Sequence, residues 1–157
     1  MRRPWNIINL PVYSLLSYSN VLNMNICTYV SVVNMHPKIY IISLDYKTQT
    51  YHNIINNDVN VVLQLLSKKN LPIVKNLGKK TAKKFNKLKY LTSNNLLTEW
   101  RNHNVLKNAS SFIELQKDDV VYKMPDHVLF SFKVKTYTSL NDNILTYNHL
   151  INEKIIL

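Results

Sequence analysis

Val128-Leu129-Phe130-Ser131-Phe132-Lys133-Val134-Lys135 is the stretch that decides the fold. Val128, Phe130, Phe132 and Val134 alternate with Leu129, Ser131, Lys133 and Lys135, the two-residue period of a strand. One face enters a core and the other meets solvent or a groove. Upstream, residues 112–122 read as two strand pieces around a Lys117-Asp118-Asp119 turn, and residues 102–111 as a loop. Residues 59–66 are an almost unbroken apolar run, as expected of a strand buried on both faces. Residues 11–18 and 24–34, rich in Val, Tyr, Ile and Thr around Ser19-Asn20, read as a hairpin. Residues 38–45 continue it as a third strand, with Pro37 placed where a strand tolerates proline.

Between these strands the period changes. Residues 51–57 hold no Gly or Pro and predict about two turns of helix, with Thr48 or Thr50 as N-cap. Residues 70–90 place Leu71, Val74, Leu77, Phe85 and Leu88 among lysines and read as two short helices, with Gly78 as the stop between them. Downstream, a turn at Asn141-Asp142-Asn143 leads into a last segment from Ile144. Six or seven strands, with helices inserted after the third and fourth, predict a mainly β chain: a closed or nearly closed β-barrel with helical covers.

The 157 residues suit one domain, 1–157, and a hydrophobic content of 46% supports a core despite a net charge of +11. One cysteine, Cys27, excludes an internal disulfide and a thiolate zinc cage, and points to a reducing compartment. No metal site is expected. A single glycine, Gly78, excludes the glycine-rich phosphate loops, which need close backbone approach. Arg2 and Arg3 resemble the start of a signal peptide, but Pro4 follows at once and Asn6, Asn9 and Pro11 interrupt the apolar stretch. No stretch approaches the ~18 apolar residues of a membrane helix. A cytoplasmic protein is the expectation. There is no acidic pair, no HExxH and no evident Ser-His-Asp order, so a hydrolase has little support.

Four places could carry chemistry. At Lys47-Thr48-Gln49-Thr50 a strand ends and a helix begins, and free backbone N–H groups there, completed by Lys47 and two hydroxyls, make an anion site. The alternative is a threonine that merely caps the helix. At Asp126-His127, heading the alternating strand, the imidazole could orient a ligand and the carboxylate fix its tautomer; the alternative is an exposed histidine at a strand end. Residues 23–31 carry small polar groups between apolar ones and could read the polar edge of a flat heteroaromatic ring, or simply alternate toward solvent. The lysines of residues 68–89, with no acid among them, could hold nucleic acid, attract an anionic cofactor, or form a solvated face.

Asn23-Met24-Asn25 through Ser31, Met35-His36-Pro37-Lys38, the strand to Asp45, Lys47-Thr48-Gln49-Thr50 with Asn53-Ile54, residues 61–66, residues 71–79 and Asp126-His127-Val128-Leu129-Phe130 with Val134 together resemble, in order, the flavin reductase-like family with its FMN-binding split β-barrel. The resemblance spans almost the whole chain. It implies a homodimer that holds FMN or FAD at the barrel edge and passes hydride to it from NADH or NADPH. Carried over, it sets the isoalloxazine along Asn25, Thr28, Tyr29, Val30 and Ser31. The flavin phosphate falls at Lys47, Thr48 and Thr50, and His127 stands near the nicotinamide or flavin ring as the catalytic candidate. Two rivals are an electron-relay flavoprotein that does not oxidise a pyridine nucleotide and, with less support, a basic nucleic-acid-binding module.

Overall fold

The computed structural model describes residues 3–156; Met1, Arg2 and Leu157 lie outside it, and with them the Arg2 half of the leader-like pair and the ends of the 1–157 domain. The strands are β1 (Tyr13–Tyr18), β2 (Leu22–Met24), β3 (Val30–Asn34), β4 (Ile39–Asp45), β5 (Val61–Leu65), β6 (Leu97–Trp100), β7 (His103–Leu106), β8 (Ser111–Lys123) and β9 (His127–Ser139). The helices are α1 (Gln49–Asn56), α2 (Val74–Gly78), α3 (Lys87–Ser93) and α4 (Tyr147–Asn152). A 3-10 turn, Lys68–Ile73, runs straight into α2.

Seven strands form one antiparallel sheet in the order β2-β1-β5-β8-β9-β4-β3, and β6 and β7 form a separate hairpin. The two edge strands, β2 and β3, belong to one run of chain. Between them Cys27 bridges to Tyr13 in both directions, N to O at 2.8 Å and 2.9 Å, and Tyr29 O accepts the N–H of Ser43. Residues 22–34 therefore zip β1 to β4 and close the sheet into a barrel. The single strand expected over residues 24–34 is broken because Asn25 Oδ1 accepts the Leu15 N–H at 3.0 Å, so a side chain replaces a ladder bond there.

Two cores follow from the closure. Leu15, Ile42, Leu63, Leu115, Val128, Phe130 and Phe132 fill the barrel. Leu16, Val62, Leu66, Val74, Leu77, Leu91 and Leu106 pack its outer wall against the helices and the hairpin. Strand β5 carries Val61 and Leu63 inward and Val62 outward, which is why its apolar run is unbroken. Strand β9 keeps the alternation expected of it, with Val128, Phe130 and Phe132 buried. Its other face is not uniformly wet: Ser131 is also buried, where its Oγ accepts the Asp119 N–H at 3.2 Å.

Three local expectations are corrected. Lys117-Asp118-Asp119 is a bulged part of one continuous β8, not a turn. Its charges are partnered, Asp118 by Lys133 at 2.8 Å and Lys117 by Asp58 at 3.0 Å and by the Ile54 carbonyl at 2.9 Å. The first half of the loop expected at residues 102–111 is strand β7, turned by Arg101 and Asn102 at φ of 49° and 65° rather than by glycine. The last segment, from Ile144, to which the sequence assigned no element, carries α4. Gly78 does not stop a helix through a left-handed φ; it ends α2 in ordinary backbone, where a Cβ would stand 3.2 Å from Ile26 Cγ1. Close approach, not conformational freedom, is what glycine serves there. No helix among the described residues is long and apolar enough to cross a membrane.

Candidate functional site

Strand β4 ends at Asp45, and this carboxylate with its own carbonyl organises the entry to α1. Asp45 Oδ1 accepts the Lys47 N–H at 2.8 Å, and Asp45 O accepts the Thr48 N–H and hydroxyl at 3.1 and 2.7 Å. Thr48 Oγ1 in turn accepts the Tyr51 N–H at 3.1 Å. Thr48 is thus the N-cap, and its hydroxyl hydrogen is committed to the backbone. Thr50 is buried behind the helix start, where its Oγ1 accepts from Asn23 Nδ2 at 3.0 Å. The N–H groups of Gln49 and Thr50 find no protein acceptor among the described residues, as the first turn of a helix dictates.

These groups line one side of a cleft of about 250 Å³, with Asn25 and Asn23. Lys79, Lys80, Thr81, Lys83 and Lys87 line the other side. The lysine segment is therefore not simply a solvated face, because the chain between α2 and α3 folds it over the start of α1. The cleft's one acid, Asp45, already accepts from Lys47 and Thr48. Helix-start donors and cations are the groups an anion site needs.

A second cavity, of about 530 Å³, adjoins the first, and Ile26, Gly78 and Lys79 line both. Trp5, Thr28, Tyr29 and Tyr147 give it aromatic and hydroxyl walls, and Thr28 Oγ1 and the Tyr147 hydroxyl share a hydrogen bond of 2.8 Å. Flat heteroaromatic rings suit such walls. Of the ring-contact residues expected from sequence, Asn25 lines the first cavity and Thr28 and Tyr29 the second. Val30 and Ser31 line neither: Val30 packs on the barrel core, and Ser31 is exposed on β3.

His127 heads β9 opposite Asp45. Its Nδ1–H donates to Asp126 Oδ1 at 2.9 Å, and its ring centroid lies 5.9 Å from that of Tyr29. The hydrogen bond from His127, helped by its charge and that of Lys47, holds the Asp126 carboxyl below its ordinary range. The Tyr46 N–H fixes the Asp126 carbonyl at 3.2 Å. The carboxylate thus sets the tautomer and leaves Nε2 outside that bond. It flanks Tyr29 and lines neither cavity.

Two participants fall inside candidate segments but drew no role of their own from sequence. Asn23 ties β2 to α1, and Lys87 is buried between the cleft and the core. Lys87 lies four residues before the buried Leu91 on α3, and that i, i+4 placement of a lysine on the apolar stripe was its only signal.

A basic cleft beside an aromatic cavity thus lies on the edge of a closed antiparallel barrel. The sequence matches the flavin reductase-like domain over residues 10–150, and the chain belongs to that family. No curated protein matches it. Among solved structures it resembles the styrene monooxygenase flavin reductase of Pseudomonas putida S12, with a TM-score of 0.75 at 12% identity, covering 91% of this chain and 89% of that one. It also resembles the NADH:FAD oxidoreductase of Streptomyces globisporus C-1027, with a TM-score of 0.75 at 11% identity over 88% and 81% of the two chains. An FMN-binding protein of Thermus thermophilus with bound p-hydroxybenzaldehyde gives 0.75 at 13% identity over 89% and 77%.

Proposed function

We propose that this flavin reductase-family enzyme binds FMN or FAD with the phosphate in the cleft between the start of α1 and the lysine segment, and takes hydride from NADH or NADPH. The carrying observation is that cleft. Two unpartnered helix-start N–H groups face lysines without a free acid among them. When bound, the flavin supplies the hydride and electron chemistry, and the protein's part is binding, orientation and electrostatics. Gln49 and Thr50 present backbone donors to the phosphate, and Lys47 and Lys79 supply charge. Thr48 shapes the turn that aims those donors. Thr28 and Tyr29 wall the ring cavity, and His127 offers Nε2 beside them. Val30 and Ser31 support that wall from β3.

The fold of the lysine segment over the cleft favours a small anionic cofactor over nucleic acid as its partner. An exposed apolar strip, Val32, Val33 and Met35 on and after β3, supports a second copy of the chain as the cover of this edge. The reducing compartment implied by one buried free cysteine supports a cytoplasmic setting. The deciding experiment is reconstitution with FMN or FAD followed by anaerobic mixing with NADH and with NADPH. Loss of the flavin's visible absorption supports the reductase reading. A bound flavin that neither nucleotide bleaches would make the chain an electron relay, and a protein that binds no flavin would end both readings.

A further inference from the structure

The barrel is finished differently at its two ends. Where β4 ends at Asp45, α1 acts as a plug: Ile54 is buried in the barrel core, and the Tyr51 ring centroid lies 6.3 Å from that of Phe130. At the opposite end, where β4 begins, a cavity of about 380 Å³ stands above the packed interior. Its walls come from β1, β3, β4, β5, β8 and β9, with Lys38 just before β4. It shares no lining residue with the basic cleft or the aromatic cavity described above.

Leu65, Ile113 and Val134 give this mouth apolar sides, and Tyr13, Tyr40 and Tyr137 add phenol rings. None of these tyrosine hydroxyls has a hydrogen-bond partner among the described residues. Burial pushes Tyr13 up to about 12, with Tyr40 nearby adding to the rise, and burial raises Tyr40 as well. Both therefore stay O–H donors at neutral pH. The Lys38 ammonium donates to Met35 Sδ at 3.1 Å, a weak acceptor, and no carboxylate lies within ion-pair distance of it among the described residues. No acidic side chain lines the cavity. Spare donors and a cation set among apolar and aromatic walls call for an anion on a flat apolar body. The floor selects the shape of that body. Tyr13, Tyr40, Ile113 and Val134 rest directly on the core, where Leu15, Ile42 and Leu63 are fully buried. A long acyl chain has nowhere to thread, whereas a compact ring system fits the space.

We propose that the open end of the barrel binds a small aromatic carboxylate, with its charge held by Lys38 and the tyrosine hydroxyls and its ring set against Ile113 and Val134. The inference is independent of the flavin reading, because the mouth and the cleft lie at opposite ends of β4. No imidazole, thiol or carboxylate lines the mouth, so it holds its ligand without transforming it.

The probe is 2-naphthoate, with 2-naphthamide as the same ring system without the charge. Each is titrated by calorimetry into native protein and into Lys38→Gln. Native protein is expected to bind 2-naphthoate, and saturating FMN should not displace it. Lys38→Gln should weaken 2-naphthoate roughly tenfold, the size of one lost charge-assisted hydrogen bond, and leave 2-naphthamide unchanged. No binding of 2-naphthoate by native protein, as when a second copy of the chain fills the mouth, overturns the proposal. So do displacement by FMN, an unchanged affinity in Lys38→Gln, and equal losses for the two probes. Ser139→Glu is the second variant, since Ser139 is an exposed lining residue at the end of β9 and its replacement leaves the core alone. It should repel 2-naphthoate and keep 2-naphthamide, and parent-like binding of 2-naphthoate overturns the site. Decanoate in the same titrations checks shape, and binding as tight as that of 2-naphthoate overturns the aromatic assignment. If native protein binds no FMN, the flavin reading fails by itself, and Lys38→Gln and Ser139→Glu still decide on the mouth.

Discussion

Asn23 Nδ2 donates to Thr50 Oγ1 at 3.0 Å, so the strand that begins the barrel's closing segment is pinned to the first turn of the helix that faces the cleft. The two residues are 27 positions apart in sequence. Position and chemistry of the cleft are thereby set by a contact that neither residue advertises alone. Removing either partner strands the other in a buried place, at a cost of about 1–3 kcal/mol.

Thr48 and Lys47 are expected to separate stability from phosphate recognition. Thr48→Ala removes a cap and costs about 1 kcal/mol, and a chain of this size then loses roughly 2–4 °C in Tm. Because the Thr48 hydroxyl hydrogen is given to Asp45 O, FMN and riboflavin affinities should move together in this variant. Lys47→Ala should instead weaken FMN severalfold and leave riboflavin and Tm alone, since Lys47 is an exposed charge at the cleft. Paired titrations with thermal denaturation read both; a selective FMN loss in Thr48→Ala would make the hydroxyl a direct ligand.

Gly78→Ala should destabilise by about 1–3 kcal/mol through overpacking, because the new methyl meets Ile26 Cγ1 at 3.2 Å and Ile26 Cβ at 3.3 Å. The loss should shrink when Ile26 is already Ala. A double-mutant cycle by urea denaturation measures that coupling, and additive costs would show that the close approach is not what demands glycine.

Lys87 gives stability a pH dependence of known sign. Its ammonium sits at about 8 in the folded chain against 10.5 ordinarily, so between those values the unfolded chain binds more protons. Stability conferred by this group rises with pH across that window and is constant below it. Cys27 and Tyr13, both pushed up to about 12 chiefly by burial, act oppositely above their ordinary 9 and 10. Subtracting the Lys87→Gln profile from the native one in urea melts from pH 7 to 10 cancels those terms. A flat difference would contradict the burial of an uncompensated amine.

Asp126→Asn is expected to slow reduction of bound flavin while sparing flavin affinity. The His127 Nδ1–H bond to this exposed carboxylate fixes the tautomer, and its loss leaves the ring free to turn Nε2 away. His127→Gln should cost at least as much. Stopped-flow bleaching with NADH or NADPH measures the effect. Parent-like rates in both variants would leave His127 an ordinary strand-end residue.

Much of this was legible before any coordinates. The alternation through Phe130 and Phe132 gave the core face of β9, and the order of motifs from Asn25 to His127 gave the barrel and its family. What escaped had physical causes. Residues 24–34 read as one strand because Asn25 imitates a ladder bond with its side chain, which periodicity cannot register. The β6–β7 hairpin escaped because Arg101 and Asn102 take left-handed backbone without glycine. Lys87 escaped because in a run of lysines a buried one has the same letter as a solvated one. Thr48 and Thr50 were read together as candidates for one role, yet the first caps the helix and the second ties it to β2.

The closing of the barrel by residues 22–34 has a thermodynamic corollary. The same run of chain carries Asn25, Ile26, Thr28 and Tyr29 to the two cavities, and halfway along it the Cys27 N–H is held by Tyr13 O at 2.8 Å. A ligand seated there acts as a clasp on the seam, and whatever free energy it contributes on binding must reappear as resistance of the seam to opening. The Cys27 amide should therefore exchange with deuterium more slowly as ligand is added, while amides of the β6–β7 hairpin, outside the seam, keep their pace unless global unfolding carries their exchange.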